Sequence, residues 1–97
     1  MGNHKLNRLL AGETFMTSEK GNSMQPLIES GQEHVLEPVL LADCKVGDIV
    51  YCKVKGRLYT HLVKAINDKR GLLIGNNKGH ENGWTKQVFG KVTSIIK

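Results

Sequence analysis

Asp48-Ile49-Val50-Tyr51-Cys52-Lys53-Val54-Lys55-Gly56-Arg57-Leu58-Tyr59-Thr60-His61-Leu62-Val63-Lys64-Ala65-Ile66 is the stretch that decides the fold. From Asp48 to Lys55 the side chains alternate: Val50, Cys52 and Val54 point one way, and Tyr51, Lys53 and Lys55 the other. Gly56-Arg57 reads as a tight reversal, so Leu58 to Ile66 is expected to pair antiparallel with the strand before it. On that second strand His61 shares a face with Tyr59, Val63 and Ala65, while Lys64 points to the opposite face.

Further strands flank this hairpin. Gly71 to Ile74 and Gln87 to Ile96 read as strands, with a Gly/Asn-rich surface loop from Asn76 to Trp84 between them. Upstream, His34 to Leu41 is a strand interrupted by Pro38, which places it at an edge or a kink. Thr14 to Ser18 is β-prone, and Pro26 to Gly31 reads as a short turn. Leu6, Leu9 and Leu10 form one apolar stripe on a two-turn helix over residues 3–11, with Asn3 available as a cap and Gly12 as a stop. So short a helix is marginal alone and must dock on the body or fray. The expectation is one mainly β domain over residues 1–97, with the helix and lead-in in 1–12 and the β core in 13–97.

Composition agrees. Ninety-seven residues with 39% apolar and 5% aromatic content make one domain with a core of Val, Leu and Ile. Two cysteines, Cys44 and Cys52, make no disulfide framework, and the chain reads as cytoplasmic. The net charge of +5 comes from basic residues spread from Lys5 to Lys97 without aromatic interleaving, so no specific nucleic-acid partner is expected. No apolar stretch approaches the roughly 20 residues that span a bilayer, and no membrane anchor is expected. The histidines and cysteines lack metal-ligand spacing, so no metal or other cofactor is expected.

The chemistry-bearing residues are Ser23 and His61. Ser23 sits on a glycine-preceded bend, Gly21-Asn22-Ser23-Met24, with Pro26 behind it. A serine hydroxyl needs a base within hydrogen-bond reach to act as a nucleophile near neutral pH, and an imidazole is the best-matched base. The competing reading is a turn serine bonded to its own backbone and a half-buried strand histidine.

Five segments occur in an order that resembles the superfamily of type I signal peptidases and self-cleaving SOS-type repressors. They are Gly21-Asn22-Ser23-Met24-Gln25-Pro26, Val46-Gly47-Asp48-Ile49-Val50, Thr60-His61-Leu62-Val63, Gly75-Asn76-Asn77 and Val88-Phe89-Gly90-Lys91-Val92. The resemblance covers about four-fifths of the chain. It implies a small, strongly bent sheet or partly open barrel, and serine endopeptidase chemistry by a Ser23–His61 dyad of the histidine type. The partner it implies is a peptide or protein substrate. Asn22 and Met24 fall at the oxyanion and substrate groove, and Asn76, Asn77, Glu81 and Asn82 are the candidates to orient His61.

Two positions depart from that pattern. Histidine-type members carry acidic residues where this chain has Asn76 and Asn82, and an amide stabilises an imidazolium less than a carboxylate does. Some members have a hydroxyl two residues before the nucleophile, where this chain has Gly21. The alternative function is therefore a catalytically degenerate domain of the same fold, of a kind a phage could encode, that binds a peptide or protein. Ala11-Gly12 is the type of bond the repressors cut in themselves, but the short tether to Ser23 includes the expected first strand. Cleavage of a separate protein is expected instead, so the purified chain should keep its mass at mildly alkaline pH. Loss of residues 1–11 from wild type but not from Ser23→Ala would show the opposite.

Overall fold

The computed structural model describes residues 4–97, so the expected Asn3 cap lies outside the described residues. A helix, α1 (His4–Leu10), precedes seven strands: β1 (Phe15–Thr17), β2 (His34–Pro38), β3 (Ile49–Val54), β4 (Arg57–Asn67), β5 (Gly71–Gly75), β6 (Glu81–Thr85) and β7 (Gln87–Ile95). All pair antiparallel in one sheet of order β1-β2-β7-β3-β4-β5-β6. The fold is mainly β with one short N-terminal helix, and the sheet is not closed, since β1 and β6 remain its two edges.

The β3–β4 hairpin is the centre of the sheet. Val54 pairs with Arg57, so the turn residues are Lys55 and Gly56, one position earlier than the expected Gly56-Arg57 reversal. Both have positive φ (51° and 83°), which is the type I′ geometry that matches the right-handed twist of the strands. From this turn the register runs back to Cys52 opposite Tyr59, Val50 opposite His61 and Ile49 opposite Leu62.

Two other expectations need correction. The upstream strand ends at Pro38, not Leu41, and Leu41–Asp43 forms a 3-10 turn. Pro38 pairs only with Gly90 of β7, because β1 reaches no further along β2 than Leu36. The loop expected over Asn76 to Trp84 is a turn followed by β6. Its sequence, Glu-Asn-Gly-Trp-Thr, is poor in strand formers, and pairing with β5 makes it a strand. Thr85 Oγ1 donates to the Lys53 carbonyl (2.5 Å), joining β6 to β3 where this half of the sheet curls over.

Three apolar clusters fill the molecule. Inside the curl lie Cys44, Val50, Cys52, Val54, Val63, Leu72 and Ile74. On the other face of β3, Tyr51 is buried with Leu9, Phe15 and Leu36 because α1 covers it. A third cluster, Met24, Ile28 and Leu62, seats the loop between β1 and β2 against β4. Leu10, expected on the buried stripe of α1, is instead 68% exposed. Gly90, with no side chain, lets Leu9 insert against β7, and Leu10 lies one residue further round the helix. Among the described residues no helix is long and apolar enough to cross a membrane.

Leu9, 3% exposed, anchors α1 to the sheet. Leu9→Ala should cost about 2–4 kcal/mol in urea unfolding. An unchanged midpoint would mean that the docked helix adds nothing to stability.

Candidate active site

Residues 18–33 link β1 to β2 and carry Ser23 on a series of turns. Buried Met24 and Ile28 hold this loop from below, and the Ile28 N–H donates to the Met24 carbonyl (3.1 Å). Gly21, at φ 137°, donates its N–H to Ser30 Oγ (3.1 Å), and the Gly31 N–H donates to the Glu19 carbonyl (2.7 Å). Asn77 staples the bend from the turn between β5 and β6. Its N–H donates to the Ser23 carbonyl and its Nδ2 to the Gln25 carbonyl, both at 2.9 Å.

His61 reaches the same point from β4. Its Nε2 lies 3.1 Å from Ser23 Oγ, and its Nδ1 lies 2.7 Å from Asn82 Oδ1. The amide oxygen can only accept, so Nδ1 carries the proton and Nε2 presents its lone pair to the Ser23 hydroxyl. Tyr59 stacks against the imidazole with centroids 5.0 Å apart, holding the plane of the ring. Burial holds His61 below its ordinary value of 6.5, outweighing the opposing effects of the Asn82 hydrogen bond and the Glu19 charge, while His80 adds a small downward push. The ring is therefore neutral at pH 7, the form a general base requires.

Of the four orienting candidates, only Asn82 touches the imidazole. Asn76 Oδ1 accepts the N–H groups of Lys78 (2.8 Å) and His80 (3.0 Å) and shapes the turn. Asn77 binds the serine loop, and Glu81 is exposed at the start of β6. A bulge singles out Asn82: Ile74 pairs with Gly83 and Gly75 with Glu81, leaving Asn82 as the extra residue. An extra residue breaks the alternation and re-aims its side chain. A second bulge lies at Lys64, whose side chain packs across Gly75 while His61 takes Ser23.

A pocket of about 200 Å³ opens beside the pair, lined by Glu19, Ser23, Met24, Ile28, Tyr59 and His61, among others. Met24 forms part of its floor, whereas Asn22 is exposed and does not line it. Among the described residues the Ser23 N–H has no backbone or side-chain acceptor. Glu19 and Thr60 were missed as site residues. Thr60 Oγ1 donates to Glu19 Oε2 (2.9 Å), a contact made across 41 residues for which an isolated Glu gives no local signal. A larger cavity of about 590 Å³ between α1 and β2–β7 has a mostly Leu, Val, Pro and Phe lining and no nucleophile–base pair.

Neither cysteine competes as a nucleophile. Cys52 is fully buried and its thiol is pushed up to about 12, chiefly by burial, and burial raises Cys44 as well. Among the described residues no cluster of three or more His, Cys, Asp or Glu side chains could hold a metal ion. Comparisons with protein families, characterised proteins and solved structures find no match to this chain.

The depressed His61 value has a consequence for stability. Unfolding returns the ring to its ordinary value of 6.5, so the unfolded chain binds the proton more readily. The stability that neutral His61 contributes is present above about pH 6.5 and is lost as pH falls through the folded value. Thermal midpoints from pH 5 to 8 should therefore rise with pH in wild type and rise less in His61→Gln. Identical slopes would show that His61 does not titrate this way.

Proposed function

We propose that this chain is a serine endopeptidase in which Ser23 is the nucleophile and His61 the general base. The hydrogen-bond chain Asn82–His61–Ser23 carries the reading, because it joins an orienter, a base and a hydroxyl in working order. His61 Nε2 takes the Ser23 proton as Oγ bonds to the scissile carbonyl carbon. The Ser23 N–H supports the oxyanion that forms. The carbon–nitrogen bond then breaks, and His61 gives its proton to the leaving amine, leaving an ester on Ser23. Water, deprotonated by His61, attacks the ester carbonyl; the carbon–Oγ bond breaks, His61 returns the proton to Oγ, and the peptide leaves as its carboxylic acid.

The ordered motifs that resemble signal peptidases and SOS-type repressors support the same reading. They imply an extended peptide with a small residue before the cut, and the pocket of about 200 Å³ floored by Met24 and Ile28 has room for a side chain beside Ser23. One observation favours a second reading, a peptide-binding domain without catalysis. The partner of His61 Nδ1 is a neutral amide, which stabilises the imidazolium less than a carboxylate would.

A peptide mixture followed by mass spectrometry separates the two. Wild type should cut at discrete bonds, and Ser23→Ala and His61→Gln should each lower the rate by about 100-fold or more. Both variants should remain folded. Intact peptides after prolonged incubation with wild type would favour the binding domain, and cleavage that survives Ser23→Ala would remove Ser23 from the chemistry.

A further inference from the structure

The proposed dyad has an orienter but no acid bonded to it. A negative charge nevertheless reaches the site by another route. Glu19 lines the same pocket as Ser23 and His61, and its Oε2 accepts from Thr60, the residue before His61. Lys5 Nζ from α1 pairs with the same oxygen at 2.5 Å. Both ends of this ion pair are partly sheltered, with side chains 24% and 35% exposed. The Lys5 ammonium also lies 5.8 Å from the centre of the Tyr51 ring, on the sheet face that α1 covers.

We propose that Glu19 is the acidic member of this site, a positioning residue that acts on His61 through space, and that Lys5 of α1 sets its strength. The inference rests on the Ser23–His61 reading above. Asn82 selects the tautomer, and Glu19 supplies the negative charge that favours the imidazolium once Ser23 gives up its proton. Lys5 offsets part of that charge, so docking of the N-terminal helix is coupled to the basicity of His61. Among the described residues, the other charged or titratable groups around the site include Lys20 and Glu29 on the pocket wall, Tyr59 against the ring, His80 on the turn before β6, and exposed Glu81 next to Asn82.

Two measurements test this on wild type, Glu19→Gln and Lys5→Met. The first is an NMR titration of the His61 ring. The second is the rate at which a fluorophosphonate probe labels Ser23, with fluoride leaving as the Oγ–phosphorus bond forms. The two variants should move in opposite directions. Glu19→Gln should lower the His61 midpoint and slow labelling at pH 9 by about twofold or more, because the base is weaker. Lys5→Met should raise the midpoint and speed labelling at pH 9. Glu19→Asp, which keeps the charge, should titrate nearer to wild type than Glu19→Gln does. If Glu19 merely braces the helix, both variants will lose thermal stability together and leave the His61 midpoint unmoved, which would overturn the proposal. Opposite titration shifts without labelling of any protein would uphold the coupling and overturn the peptidase reading instead.

Discussion

The register of the β3–β4 hairpin is the constraint on which the rest of the molecule depends. A two-residue turn at Lys55-Gly56 leaves one way to pair the strands, with Val50 opposite His61. A slip of one residue would send every side chain of β4 to the other face. Val63 would leave the core, and His61 would leave the serine loop. Because β4 also pairs with β5, the same register passes outward to β6 and decides where Asn82 can fall.

Two irregularities then convert a regular sheet into a site. The bulge at Asn82 turns its amide toward the imidazole, and the bulge at Lys64 lets β4 bend after it has delivered His61. The serine loop has little secondary structure of its own. It is held by the buried pair Met24 and Ile28 and by two hydrogen bonds from Asn77. The loop-borne partner of the proposed dyad is thus fixed by packing from below and by the adjacent turn from the side. Burial of the imidazole keeps it neutral, and the charge of Glu19, which is paired with Lys5, pushes the other way.

How much of this could be read in the sequence follows from how local each signal is. The alternation of β3 and the apolar content of β4 and β7 are local, and these strands were legible within a few residues. Ser23 and His61 stood out because a bend serine and a strand histidine carry recognisable chemistry, and the structure places them in contact. β6 was not legible, since Glu-Asn-Gly-Trp-Thr becomes a strand only against β5. The choice among Asn76, Asn77, Glu81 and Asn82 depended on a bulge, which composition does not reveal. Glu19 was invisible for the same reason: its partners, Lys5 and Thr60, are 14 and 41 residues away and come from different elements. Leu10 failed the stripe because the short helix meets the sheet through Leu6 and Leu9, with Leu9 inserted against Gly90, and Leu10 is left exposed.

The central claim is that Asn82 holds His61 with its proton on Nδ1, leaving the Nε2 lone pair for Ser23. Nitrogen-15 NMR of the imidazole, recorded well above its titration midpoint, tests this most directly. The account predicts a protonated, pyrrole-type Nδ1 and an unprotonated, pyridine-type Nε2 in wild type, with that preference weakened in Asn82→Ala. A pyrrole-type Nε2 in wild type would contradict it, because the ring would then donate to Ser23 and could not take its proton.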